Sequence, residues 1–409
     1  MDKSLKVTAG VSLLHRILLG LAWALLVAIV LMAMTVRNLL PEAPDKWTYD
    51  WRTYFLSNRA DGQRTDIALV LINEDTLAEY PYNVVDRGLV AAIIRSVGHS
   101  DAAAIGLDFA FERPTEPEKD RALVDAIRTS PVPIVLAAID ERARVATSRS
   151  LKYQESFFGD VDVSETGRVR AGHAFFSRLP DRLTTGDQVV RFISAPLKST
   201  PSRESFARVL AELDGTKPKP SSPYIDWLLP PLNGEEIFAI VRVPEHNPVA
   251  GSESDSATVV PSYLKTLLKN KIVLIGAEFV DRDRHLTPLS VADRQAVPGV
   301  TIHAQILAQL RDGRSIGELS VWQELLAVFA LALIGYVLGW RARLHQYGTA
   351  THFVSIVGLA VAGAVLFARM HLIIPTTLLF FGWLAGVIGG HYSGPVLRRF
   401  AGFRGAKDA

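Results

Sequence analysis

Cysteine is absent from this 409-residue chain. No disulfide staples it, and no thiolate nucleophile or thiolate metal ligand is available anywhere along it. A strong excess of either charge sign is also missing: 44 basic residues stand against 42 acidic ones, which gives no electrostatic reason to expect a nucleic-acid partner. Gly-x-Ser-x-Gly, His-Glu-x-x-His and a glycine-rich phosphate loop after a strand are not found, and Gly276-Ala-Glu lacks the further glycines that would let a backbone approach pyrophosphate. We therefore expect neither an enzyme nor a cofactor-binding protein.

Charge is missing in a more informative way at the two ends. No charged side chain lies between Ile17 and Val36, and a helix of about 20 residues crosses a hydrocarbon core of about 30 Å. The same feature recurs over Leu325 to Trp340, Gly348 to Ala368 and Leu372 to Gly390. The expected layout is a cytoplasmic N-terminus (1–13), spans at 14–37, 320–340, 349–368 and 372–391, a cytoplasmic loop at 341–348 and a cytoplasmic tail at 392–409. Lys3, Lys6 and Arg16 precede the first span, Arg341 and Arg343 lie in the loop, and Arg398, Arg399, Arg404 and Lys407 follow the last. The positive-inside rule puts these on the cytoplasmic side and segment 38–319 outside. The first apolar run exceeds the 7 to 15 residues of a signal peptide and no small-x-small site follows it, so it reads as an uncleaved anchor.

The outer segment alternates between two periodicities. Ile67 to Ile72 is a continuous apolar run, as in a strand covered on both faces, and Leu89, Val90, Ile93, Ile94 and Val97 then recur at helical spacing before a second strand over Ala103 to Phe109. Further helices are expected near 119–128, 205–213, 262–268 and 300–310, and strands near 134–139, 237–243 and 272–275. The stretches 140–150, 214–223 and 244–256 read as polar surface loops. The fold class is an α/β domain with a mainly parallel sheet, its first and last strands central, plus four transmembrane helices.

Lys271-Ile-Val-Leu-Ile-Gly276, Thr287-Pro288 and Pro298-Gly-Val-Thr-Ile-His303-Ala304 form a closing signature that resembles the CHASE2 family of extracytoplasmic sensory domains. Ile105-Gly-Leu-Asp108-Phe109, Asp120 with Leu123, and Gly167-Arg-Val-Arg170 are similar to it as well. The chain departs from the family at Asn73, where Asp is commoner, and at Tyr80-Pro81-Tyr82, where Trp-Pro-Trp is common. The resemblance implies a bacterial inner-membrane receptor in which output modules usually follow the last span; fewer than about twenty residues follow it here, so the expected output is a separately encoded protein.

Ligands of open parallel sheets sit beyond the carboxyl ends of the strands. Asn73, Glu74 and Asp75 end one strand, Asp108 another and Glu278 a third, which makes them candidate ligand-binding residues; the competing reading is helix caps and turns. Asp281, Asp283 and His285 have a spacing compatible with a cation, but Arg282 and Arg284 between them favour a solvated loop and no metal site is expected. His303 sits in an apolar helix and reads as a structural or pH-sensing residue. Glycines four apart, Gly335 with Gly339 and Gly382 with Gly386, permit close helix packing, either within the helix cluster or with a second copy. Expected partners are an extracytoplasmic small molecule or protein, a separate signalling or envelope protein, membrane lipid and, through those glycines, a homodimer mate. A non-signalling docking role in an envelope or transport complex is the alternative.

Overall fold

The computed structural model describes residues 3–37, 39–41, 43–57, 65–74, 76, 85–143, 146–176, 189–196, 203–213, 215, 223–228, 239–242, 262–280, 282–342 and 348–405. The chain forms two compact units, one made of Thr53–Ile316 and one of Met1–Arg52 with Gly317–Ala409.

The first unit is built on a six-stranded sheet. Its strands are β1 (Ile67–Ile72), β2 (Ala104–Leu107), β3 (Ile134–Ala138), β4 (Val169–His173), β5 (Ala239–Arg242) and β6 (Ile272–Ala277). They lie in the order β4-β3-β2-β6-β1-β5, and every pairing is parallel. The last strand is central, as expected. The first is second from an edge, because β6 inserts between β1 and β2 and the short β5 covers the far side.

Side-chain alternation explains why these runs are continuously apolar. Ala68, Val70 and Ile72 of β1 enter one core and Ile67, Leu69 and Leu71 the other, so no position of β1 faces water. The first core is closed by α3 (Arg87–Gly98), α4 (Pro117–Arg128), α5 (Ser148–Asp160) and α7 (Ser262–Leu268); the second by α6 (Phe206–Leu213) and α8 (Gly299–Arg311). Numbers α1 and α2 belong to Lys3–Val36 and Ala43–Leu56. Close approach on the second face depends on two glycines: a Cβ on Gly172 would stand 2.6 Å from the Phe206 backbone, and one on Gly276 would stand 2.6 Å from Val300.

Three polar features fix the helices. Asp86 caps α3 by accepting from the Leu89 N–H at 3.0 Å and pairs with Lys119. The buried Arg87 donates to Asp120 and to the Tyr153 hydroxyl, each at 2.8 Å, and its guanidinium lies among the rings of Phe111, Tyr153 and Phe157. Thr147 and Ser150 cap α5 reciprocally, and this helix begins inside the stretch expected to be a loop. Of the other expected loops, 244–256 lies outside the described residues, as do most of 214–223 and Tyr80-Pro81-Tyr82.

The second unit holds α1, the first turns of α2, α9 (Val321–Ala342), α10 (Gly348–Met370) and α11 (Thr376–Gly405). Two-residue strands β9 (Gly317–Glu318) and β10 (Leu372–Ile373) pair in parallel. Among the described residues, three helices are long and apolar enough to cross a membrane: Leu13–Val36, Val321–Arg341 and His352–Met370. This corrects the expectation of four. The run from Leu372 loses its first residues to β10, the helix starts only at Thr376, and Gly382, Gly386, Gly389, Gly390, His391 and Ser393 dilute its apolar content.

Those glycines have a different use. A Cβ on Gly386 would collide with the Ala332 carbonyl, one on Gly390 with that of Tyr336, and one on Gly339 with that of Val387. The small residues therefore join α9 to α11 inside this unit. Gly358 on α10 has open space where its Cβ would stand.

Candidate functional site

Both neighbours of β6, namely β1 and β2, send their following helices α3 and α4 to one face, whereas β6 itself leads through a long loop to α8 on the other. Oppositely directed connections open a crevice at the carboxyl ends of these strands. Asp108 follows β2 and its N–H donates to Ile275 of β6 at 2.9 Å; Glu278 follows β6 and donates to Ile72 of β1 at 2.8 Å. The described candidates Asn73, Glu74, Asp108 and Glu278 thus share one edge of the sheet. Asp75 lies outside the described residues.

Sharing an edge is not the same as forming one site. The Asn73 carboxamide oxygen accepts from the Thr76 N–H at 3.1 Å and the Thr76 hydroxyl at 3.0 Å, closing its own turn. Glu74 accepts from the Val280 N–H and so ties the turn after β1 to the loop after β6. Asp108 instead points into the second core, where its carboxylate oxygen is 3.7 Å from Nε2 of His303; the side chains are 8% and 4% exposed.

The family-like signature builds the wall around this pair. Thr287 and Ser290 cap a 3₁₀ turn reciprocally, and β7 (Arg284–His285) pairs with β8 (Val297–Pro298), which leads straight into α8. Gly299 leaves room for the Asp283 carboxylate, 2.5 Å from where a Cβ would be. Asp283 takes a left-handed conformation at φ 51° and accepts from His285 Nε2 at 2.9 Å. Arg284 donates to the carbonyls of Phe279 and Ala296 and so braces the loop. Asp281 lies outside the described residues, and among the described ones no group of three or more His, Asp or Glu is arranged to hold a metal ion.

His303 is packed by aromatic rings. Phe176 stacks on it with centroids 4.4 Å apart and Phe206 meets it edge-on at 5.0 Å, while Phe176 also contacts His285 at 4.9 Å. A further imidazole, His173 at the end of β4, is fully buried and stands 3.7 Å from the Asp140 carboxylate after β3. Arg142 already holds Asp140 through Nε at 2.8 Å and through its terminal nitrogen. Neither ring nitrogen of His173, nor Nδ1 of His303, makes a hydrogen bond of good geometry among the described residues, although the backbones of Ala195 and Ala174 lie close enough to favour the protonated rings.

Desolvation sets the charge of this cluster. It holds the Asp108 carboxyl well above the usual carboxylate range, with the nearby Asp283 adding to the effect. It also drives His303 down to about 3, helped by the neighbouring His173 and His285. His173 falls to about 4, burial outweighing the attraction of Asp140. Both imidazoles are therefore neutral at pH 7 and the Asp108 carboxyl is biased toward its protonated form; polar atoms buried with imperfect partners are costly.

Sequence reasoning found Asp108 and His303 but not their proximity, and it missed His173 and Asp140. His173 ends a five-residue strand, Val-Arg-Ala-Gly-His, with no apolar period to mark it. Asp140 stood at a strand end like the others and carried the same signal as Asp108.

A family model described as CHASE2 domain matches residues 24–337. The chain belongs to the CHASE2 family. The CHASE2 domain is an extracytoplasmic sensory domain, and its match extends from within α1 to within α9, so the helices flanking the sheet unit are part of it. No curated protein and no solved structure matches the chain. The closing signature of the CHASE2 domain supplies β6, the loop with its 3₁₀ turn and α8, which together carry His303 to the Asp108 end of β2.

Proposed function

We propose that this CHASE2 chain is a sensor of the bacterial inner membrane, multi-pass, with its sheet unit outside the cytoplasm, and that its ligand site lies around Asp108, His303 and His173. The observation that carries this reading is the burial of Asp108 against His303, 3.7 Å apart at the carboxyl edge of the sheet, with ring nitrogens of His303 and His173 that make no hydrogen bond of good geometry among the described residues. A small polar molecule offering both donors and acceptors would satisfy them, and a bound state favoured in this way shifts the equilibrium between conformations by its difference in affinity for the two. The response passes along α1 and α9, which flank the sheet unit, and reaches a separately encoded output protein; the close joint between α9 and α11 lets these helices move as one body.

A thermal-shift screen of small polar metabolites on the full chain in lipid nanodiscs tests the site. Compounds that stabilise the protein are expected to lose that effect with Asp108→Asn and His303→Gln. Stabilisation that survives both substitutions places the site elsewhere. A protein that responds to no compound but depends on one constant protein for its stability fits a docking role in an envelope complex.

A further inference from the structure

Helix α2 is inside out for a protein in water. At about 100° of rotation per residue, Pro44, Trp47, Trp51, Tyr54 and Phe55 fall on one arc of its surface, and Trp47 and Phe55 are 62% and 71% exposed. Its opposite side carries Asp45, Tyr49, Arg52 and Thr53. Within the helical unit that side is held in place: the Asp45 carboxylate accepts from the Thr377 N–H at 2.8 Å, Arg52 donates to the Thr376 hydroxyl at 2.8 Å, and Tyr49 meets Phe367 edge-on at 5.6 Å. An ordinary amphipathic surface helix buries its apolar face and hydrates its polar one; here the order is reversed.

We propose that α2 is an in-plane interfacial helix whose aromatic face lies in the boundary between headgroups and acyl chains on the outer side of the membrane. The partner is the lipid surface itself. Two observations favour it over protein. Exposed apolar groups also stand at the ends of the spans that lie nearest the sheet unit in the chain: Val36 closes α1 and Leu39 follows it, and Val321 and Trp322, the latter 73% exposed, open α9. Trp47 joins an apolar ring body to a polar edge, as suits that layer, and beside it on the arc Trp51 and Tyr54 are half-buried. By fixing the depth of α2, the interface would also fix the cap that Asp45 places on α11. The inference rests on reading α1 and α9 as membrane spans.

The absence of native cysteine permits a direct test. Single-cysteine variants Trp47→Cys and Phe55→Cys of the full chain, spin-labelled in phosphatidylcholine vesicles, are compared with Leu25→Cys within α1 and Glu118→Cys on α4. Collision with oxygen is expected to dominate over collision with a water-soluble nickel chelate at positions 47 and 55, at a depth shallower than at 25, with the reverse at 118. Nickel dominance at 47 and 55 overturns the proposal, and so does exclusion of both reagents, which marks a face covered by protein or by a second copy. If position 25 also reads as aqueous, the membrane reading itself fails. Should a cysteine variant not fold, quenching of native tryptophan fluorescence by lipids brominated near the headgroup is expected to drop in Trp47→Phe; unchanged quenching contradicts the assignment.

Discussion

Acidification should open the sheet unit through His173, and the structure sets the size of the effect. In an opened state the imidazole titrates near its ordinary value of about 6.5; in the folded state burial holds it at about 4. A folded value below the open one means that stability is complete above about pH 6.5 and is lost as the pH falls toward 4, by up to about 3 kcal/mol at 1.36 kcal/mol per unit. His303 acts in the same direction. Asp108 acts in the opposite one, because its folded value is raised: its contribution strengthens as pH falls and is lost as pH rises through that value. Asp108 therefore opposes the two imidazoles, and the His173 contribution alone makes the opening constant rise by up to about tenfold per pH unit between 6 and 4.5. Hydrogen exchange read by mass spectrometry on peptides from β4 and α8, corrected for intrinsic rates, measures this. His173→Asn should flatten the slope, and Asp108→Asn, which removes the opposing group, should steepen it. A wild-type slope that persists in His173→Asn refutes the reasoning.

Other expectations follow from single contacts. Asp226 is fully buried and paired with Arg314 at 2.5 Å, so Arg314→Met removes its counter-ion, leaving the Leu228 N–H on the carboxylate, and should cost about 3 to 5 kcal/mol in denaturant unfolding of the sheet unit. Gly390→Leu drives a side chain into the Tyr336 carbonyl; disulfide cross-linking between engineered cysteines on α9 and α11 should be abolished in it and kept in an α10 control, Gly358→Leu. Asp45→Ala removes the cap on α11 and should lower the stability of the helical unit by roughly 0.5 to 2 kcal/mol, read as faster exchange at Thr377.

What the sequence made legible was whatever burial repeats. Apolar runs fully covered on both faces disclosed β1 and β6, and the spacing of Leu89, Val90, Ile93 and Ile94 disclosed α3, because a one-sided core leaves a periodic trace. Helix α2 left none of the usual kind, since Trp47 and Phe55 face outward while Asp45 and Arg52 turn inward. Helix α5 was hidden by its polar composition, its signal being the Thr147–Ser150 cap. Strand-end carboxylates were visible as a class, but which of them meet depends on the crossing of β6 between β1 and β2, a long-range pairing that no local pattern encodes. Asn73 and Glu74 accordingly turned inward to turns and loop ties, whereas Asp108 met His303. The run at 372–391 lacks charge, as a span would, but its glycine, serine and histidine content keeps it below the apolarity of the other three helices and suits α11 to packing on α9.

The sensor reading requires an output partner, and capture in place tests it most directly. Cross-linking of the full chain in its native membranes, followed by purification and mass spectrometry, is predicted to recover a kinase, a cyclase or another regulator. Recovery of envelope or transport components alone would contradict the sensor role and assign the chain to assembly.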